Sequence, residues 1–251
     1  MKIVRCRFDQ DVRYGLLEGD AIRLLRGTPY EGIEPDGRVV GSSEVKLLAP
    51  CEPSKIVAVG INYAPHAREL DFQIPAEPLL FLKPSTAVIG PDEEIILPAM
   101  SAQVDYEGEL AVVIGRRTKN ISESEALRCV LGYTCCNDVT ARDLQKKDVQ
   151  FTRSKGFDTF APLGPCIETE LNPGDVVIRS FVNSEKRQEA NTSSMIRSVA
   201  ELISFISRVM TLLPGDVIAT GTPAGVGRLR NGDRVSVAVE AIGILSNPVR
   251  G

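Results

Sequence analysis

Residues 104–115 read VDYEGELAVVIG, and the spacing inside this stretch decides the fold class. The run is strand-like. Period two sends Glu107, Glu109, Ala111 and Val113 to one face and Leu110, Val112 and Ile114 to the other. Two carboxylates on one side of an otherwise apolar strand repel each other, and burying them unpaired is costly. A bound cation relieves both penalties. Two other readings compete: that face is solvated, or arginine and lysine partners neutralise the pair.

Outward from this strand, short apolar runs alternate with Gly/Pro punctuation, the pattern of a β-rich domain. Further strands are expected in KIVAVG (55–60), LLFLK (79–83), EEIIL (93–97), LGYTCCN (131–137), DVVIRSFVN (175–183), DVIATG (216–221), RVSVAVE (234–240) and GILSN (243–247). Two helices are expected. Ser122 and Glu125 have capping-box spacing ahead of ALRCV. Residues 195–210 set Ile196, Val199, Ile203, Ile206 and Met210 on one helical stripe. The segments NPGDVVI (172–178), LPGDVIA (213–219) and NGDRVSV (231–237) read as turns feeding strands, with glycine supplying positive φ. Residues 62–78 hold few strand formers, and a connection of that length is often a lid or binding loop. The first 45 residues read as a small β domain, with strands KIVRCRF and RYGLLEG and turn-like GTPYEG and EPDGR. LLAPCEPSK links it to a main domain covering residues 46–251.

Composition narrows the chemistry. At 43% hydrophobic and 25% charged, the 251-residue chain is globular rather than disordered or coiled-coil. No run of about 18 apolar residues exists, and MKIVRCRFDQ is charged where a secretory leader needs an apolar core. A cytoplasmic protein without a membrane span is expected. A net charge of −4 and no tryptophan advertise no nucleic-acid partner. Six cysteines without a CxxC pair fit buried thiols. One histidine, His66, excludes a polyhistidine zinc site. A divalent cation here would need carboxylate and carbonyl ligands, which favours Mg²⁺, Mn²⁺ or Ca²⁺.

Other residues suit such a site. Asp138 ends the strand LGYTCCN, where a third carboxylate would serve a hard cation, or would cap the following TARDLQ turn. Arg142 and Gln145 share a face if that turn is helical, and can orient a carboxylate; otherwise both are surface groups. Lys155, flanked by Phe151, Phe157 and Phe160, is either a desolvated electrophile or a snorkelling side chain. His66 and Glu69 share a face if Pro65 opens a helix, and can then activate water; otherwise His66 is a loop residue. The Gly/Thr turn ATGTPAGVG lacks a P-loop lysine, but Thr220, Thr222 and its amides can hold a carboxylate.

In order, the blocks VGINYAPHARE, FLKPSTAVIGP, VDYEGELAVVIGR, GYTCCNDVTARDLQ, FTRSKGFDTFAPLGP, PGDVIATGTPAGVG and GDRVSVAVEAIGILSNPV resemble the fumarylacetoacetate hydrolase family from about Lys55 to Pro248. Each block is moderately specific, and their order over nearly two hundred residues is very specific. The resemblance implies an α+β, predominantly β fold: a mixed β-sandwich roll with short helices, a small N-terminal β domain and a homodimeric assembly. It implies Glu107, Glu109 and Asp138 as Mg²⁺ or Mn²⁺ ligands. Arg142, Gln145, Lys155 and Thr222 would contact a 2-oxo or 2-hydroxy-dienoic carboxylate. His66 and Glu69 would activate water on a lid, Pro65 replacing a residue that is polar in many relatives. The reaction so implied is acylpyruvate hydrolysis or oxaloacetate decarboxylation, in which metal and Lys155 stabilise an enolate. The alternatives are an isomerase/decarboxylase of 2-hydroxyhepta-2,4-dienedioate-type compounds and a non-catalytic small-molecule-binding protein.

Overall fold

The strand Gly108–Ile114 is buried along its whole length and central to a twelve-stranded mixed sheet in a computed structural model describing residues 1–251. It pairs antiparallel with Val130–Asn137 on one side and Val217–Ala219 on the other. Beyond the latter come Ile56–Gly60, in parallel, and the edge strand Leu79–Lys83. Leu110, Val112 and Ile114 face one core with Leu202, Ile203, Ile206, Val237 and Leu245, whereas Ala111 and Val113 face a second core with Ile56, Ile167 and Val217. The expected alternation therefore holds, with apolar layers on both sides. A five-stranded sheet, ordered Glu185–Asn191, Val177–Val182, Arg234–Val239, Gly243–Arg250 and Ile95–Ile96, supplies part of the first core. The predominantly β sandwich with short helices is the observed architecture.

Lys2–Phe8 pairs with Ala161–Glu168, so the N-terminal strands extend the large sheet. Two expectations there and beyond need correcting. EPDGR is not a free turn but enters the strand Pro35–Gly41, whose register with Ala21–Leu25 shifts between Arg23 and Leu25 to absorb Gly37. The polar strand Glu185–Asn191 and the proline-bearing strand Ala161–Glu168 were not expected at all. The first follows a two-residue Asn183–Ser184 hairpin turn with positive φ at both positions, and only Gln188 along it is fully buried.

The helices also differ from expectation. The long helix is Val199–Val209, and Ile196 lies before it in a bend. Ser198 and Glu201 cap it reciprocally: Glu201 N donates to Ser198 Oγ at 3.2 Å and Ser198 N to Glu201 Oε2 at 2.8 Å. The capping box expected at Ser122 does not form. Ser122 Oγ meets Ser124 Oγ at 3.1 Å, and Glu125 accepts from Arg128 at 2.8 Å. That helix is only Glu123–Ala126, followed by a tighter turn.

Candidate active site

Local geometry brings three carboxylates together. Asn137 opposes Gly108 in the ladder, so Asp138, one residue further, comes opposite Glu107. Asp138 N donates to Glu107 O at 2.8 Å. The carboxylate oxygens of Glu107, Glu109 and Asp138 lie within 4.8 Å of one another, and all three residues are buried. Asp138 does not cap the next helix, which runs Arg142–Lys147 from an Ala141 cap.

Basic partners satisfy part of this cluster. Glu107 accepts from Arg142 Nη2 at 2.5 Å and from Lys155 Nζ at 2.7 Å. Asp138 accepts from Lys155 Nζ at 2.6 Å and from Lys83 Nζ at 2.5 Å. Burial pushes the Glu107 carboxyl up, but Lys155 and Arg142 overcome this and hold it well below the usual carboxylate range. Glu109 differs. Its protein partner is a single backbone donor, Gly221 N at 2.8 Å. Burial, with Asp138 and Glu107 nearby, raises its carboxyl well above the ordinary value. Asp105 joins the cluster by accepting from Arg142 Nε at 2.8 Å. Four acids (Asp105, Glu107, Glu109, Asp138) then face three cations (Lys83, Arg142, Lys155), all of them buried. With all seven ionised one negative charge would be left over, on Glu109, which is why its carboxyl resists ionisation unless a cation joins it. An all-oxygen donor set with an unmatched charge fits a hard divalent cation.

The remaining candidates converge on the same cleft, whose lining includes His66, Arg142, Gln145, Lys155 and Thr222. His66 and Glu69 lie on the helix Ala64–Glu69, with Nδ1 and Oε2 3.1 Å apart. Gly225 N donates to the other Glu69 oxygen at 2.9 Å and fixes the pair. Arg142 Nη1 donates to Gln145 Oε1 at 2.6 Å, so those two share a helix face. Arg142 is buried rather than a surface group. Lys155 is buried too and does not snorkel. Burial opposes its charge, yet Asp138 and Glu107 raise its affinity for the proton. Its aromatic neighbour is Phe81, with the ring centroid 5.0 Å away. Phe157 and Phe160, expected around it, pack together in a third core instead. Thr222 donates to Gly108 O at 2.9 Å and accepts from Gln188 Nε2 at 2.8 Å.

Sequence reasoning missed four supporting residues. Lys83 is fully buried, and burial pulls its affinity for the proton down while Asp138 partly restores it. Asp105 stands two residues before Glu107, so the same period-two argument reaches it. Asn62 donates to Arg197 O at 3.0 Å and Thr220 O at 2.8 Å, locking the approach to the His66 helix against the Gly/Thr turn. Gln188 holds Thr222 and also accepts from Gly108 N at 3.0 Å. No local signal in their segments marks Asn62 or Gln188.

The Gly/Thr turn needs its glycines. Gly221 has φ +99°, and a Cβ there would come within 2.7 Å of Asn62 Cβ. At Gly225, with φ +100°, a Cβ would lie 2.2 Å from Arg187 O.

This geometry is accompanied by close similarity to known proteins. The family model for the fumarylacetoacetate (FAA) hydrolase C-terminal domain matches residues 55–250, and an Rv2993c-like N-terminal model matches residues 1–50. Protein Rv2993c of Mycobacterium tuberculosis is 51% identical over 99% of this chain and 98% of its own. Oxaloacetate tautomerase FAHD2A of Bos taurus is 44% identical over 84% of this chain and 71% of its own. The crystal structure of 5-carboxymethyl-2-hydroxymuconate delta-isomerase from Mycobacterium smegmatis superposes with a TM-score of 0.95 and 46% identity, covering 100% of this chain and 99% of that one. Matched by that family model over residues 55–250 and by these relatives along most of its length, this chain belongs to the fumarylacetoacetate hydrolase family.

Proposed function

We propose that the chain is a divalent-cation-dependent enzyme that acts on 2-oxo acids through an enolate. Hydrolysis of an acylpyruvate C–C bond is its leading reaction, and decarboxylation of oxaloacetate would draw on the same groups. The observation that carries the reading is a single cleft lined by His66, Lys155 and all three members of the acid triad, with Glu69 against the imidazole. Mg²⁺ or Mn²⁺ held by Glu107, Glu109 and Asp138 would supply a Lewis acid that polarises the 2-oxo group.

The side chains perform the rest. Glu69 accepts from His66 Nδ1, which leaves Nε2 free to take a proton from water. That water adds to the distal carbonyl, and the bond between that carbon and C3 then breaks. The electron pair passes into the pyruvate fragment, where the Lys155 ammonium offsets the charge that develops. The proton taken by His66 returns to C3, so acylpyruvate and water give a carboxylic acid and pyruvate. Arg142 and Gln145 line the inner cleft where the substrate carboxylate would be oriented.

Keto–enol tautomerisation of oxaloacetate is the second reading, favoured by the name of the bovine relative. It needs enolate stabilisation without water attack. The test is a panel of acylpyruvates, oxaloacetate, fumarylacetoacetate and a 2-hydroxy-dienedioate, each assayed with Mg²⁺ and with EDTA. Metal-dependent release of pyruvate from an acylpyruvate is expected. Undiminished turnover after exhaustive chelation, or no turnover of any 2-oxo acid, would reject the proposal.

A further inference from the structure

The candidate cleft has two chemically different ends. Strand Leu79–Lys83 runs along it, and period two places Leu79, Phe81 and Lys83 on one face. Burial deepens along that face: Leu79 is 40% exposed, Phe81 is half-buried, and Lys83 is 0% exposed against Asp138. Phe151 meets the Phe81 ring edge-on, with centroids 5.6 Å apart. Leu70 and Phe72, which follow the His66 helix, also line the cleft. These five side chains form an apolar outer wall.

Of the cations in the cleft, Lys155 meets this wall only at its inner end, over the Phe81 ring, and both it and Arg142 are already engaged. Arg142 is held by Asp105, Glu107 and Gln145, and Lys155 by Glu107 and Asp138. No other lysine or arginine lines the cleft. A carboxylate placed against the outer wall would shed its hydration without gaining a partner. An alkyl or aryl group there would leave water for surfaces of its own kind.

We infer that the outer wall is an apolar subsite, and that the preferred substrate is a 2-oxo acid whose distal end is an uncharged alkyl or aryl group. This inference rests on the 2-oxo-acid reading above and adds to it the chemistry of the substrate tail. It sets this chain apart from an enzyme for dicarboxylates in which the second carboxylate lies far from the first.

The test measures binding rather than turnover. N-substituted oxamates mimic 2-oxo acids and do not react, so their affinities are read by calorimetry on the full chain with Mg²⁺. From methyl to butyl, affinity should rise about fourfold for each methylene that is buried. An N-(3-carboxypropyl) oxamate, similar in length to the butyl compound, should bind weaker by on the order of tenfold or more. Phe151→Ala should flatten the alkyl series, and Leu79→Lys, at the exposed end of the wall, should shift preference toward the carboxypropyl compound. A flat alkyl series in the parental protein, or carboxypropyl binding as tight as butyl, would overturn the subsite. Failure of every oxamate to bind would count against both the subsite and the 2-oxo-acid reading. A rising alkyl series with no catalysed turnover of any acylpyruvate or oxaloacetate would keep the subsite and reject only the reaction.

Discussion

Glu109 is the carboxylate of the cluster that no lysine or arginine side chain bonds, and this determines how its replacement behaves. Glutamine keeps the shape and can still accept from Gly221 N, but it cannot ionise, and burial beside Asp138 and Glu107 makes ionisation of Glu109 costly when no cation is bound. Glu109→Gln should therefore raise the melting temperature of the EDTA-treated protein. It should also weaken Mn²⁺ binding, measured by calorimetry, by at least roughly the 10²-fold that loss of an outer-shell partner can cause. A variant that binds Mn²⁺ as tightly as the parent would remove Glu109 from the ligand set. His66 carries a different burden. His66→Ala should lower acylpyruvate hydrolysis by about 10² to 10⁴, the usual worth of a positioned general base. Oxaloacetate tautomerisation should suffer much less, because Lys155 remains in place. The chain has no second imidazole to substitute. Hydrolysis at the parental rate would make tautomerisation the better reading.

At the scale of elements, the turn after Val217–Ala219 does two jobs through two backbone amides. Gly221 N holds Glu109 and Gly225 N holds Glu69, so one loop registers the acid triad against the His66 helix. Gly225→Ala would force a Cβ to 2.2 Å from Arg187 O at a φ of +100°. The turn must shift, with a loss of stability of roughly 1–3 kcal/mol. Hydrolysis should fall more than tautomerisation, because the anchor that is lost is Glu69 and not Glu109. Comparing both rates with thermal melts checks this, and equal losses in the two reactions would contradict it. The Val199–Val209 helix shows how a periodic pattern can be read too long. Ile196 continues the apolar stripe, but its N–H donates to Asn62 O at 2.8 Å, and that long-range bond holds it in a bend outside the helix, which starts only where Ser198 caps.

For the whole molecule, burial shields the thiols: five of them lie in the first two cores, and Cys129 is buried outside them. All six cysteines are free and buried. Burial pushes the Cys51 and Cys135 thiols up to about 12 and Cys166 up to about 11. At pH 8 such groups are thiolate on the order of one part in 10³ or less, and the thiolate is the reactive form. A colorimetric disulfide reagent should thus titrate less than one thiol per native chain within minutes, and all six after denaturation. Rapid native reaction would place a cysteine at the surface. Homodimerisation is a proposal at this same scale, resting on the family resemblance. Sedimentation at micromolar concentration should give twice the 27.2 kDa chain mass, and a monomer alone would reject it.

What the sequence determined by itself is whatever depends on short-range geometry. The two-residue repeat of an extended chain puts Glu107 and Glu109 together, and it would have added Asp105 had it been carried one step back. The strand end at Asn137 presents Asp138, and helical spacing joins His66 to Glu69 and Arg142 to Gln145. The tertiary structure alone decided which distant groups complete these local pairs. Lys83 reaches Asp138 from 55 residues away because the edge strand turns that face inward, toward the acids. Gln188 supports Thr222 from a strand too polar to stand out as buried. Phe81, rather than the sequence neighbours Phe157 and Phe160, lies beside Lys155. Strand alternation assigns a side chain to a face, but only the pairing of remote strands says what that face meets.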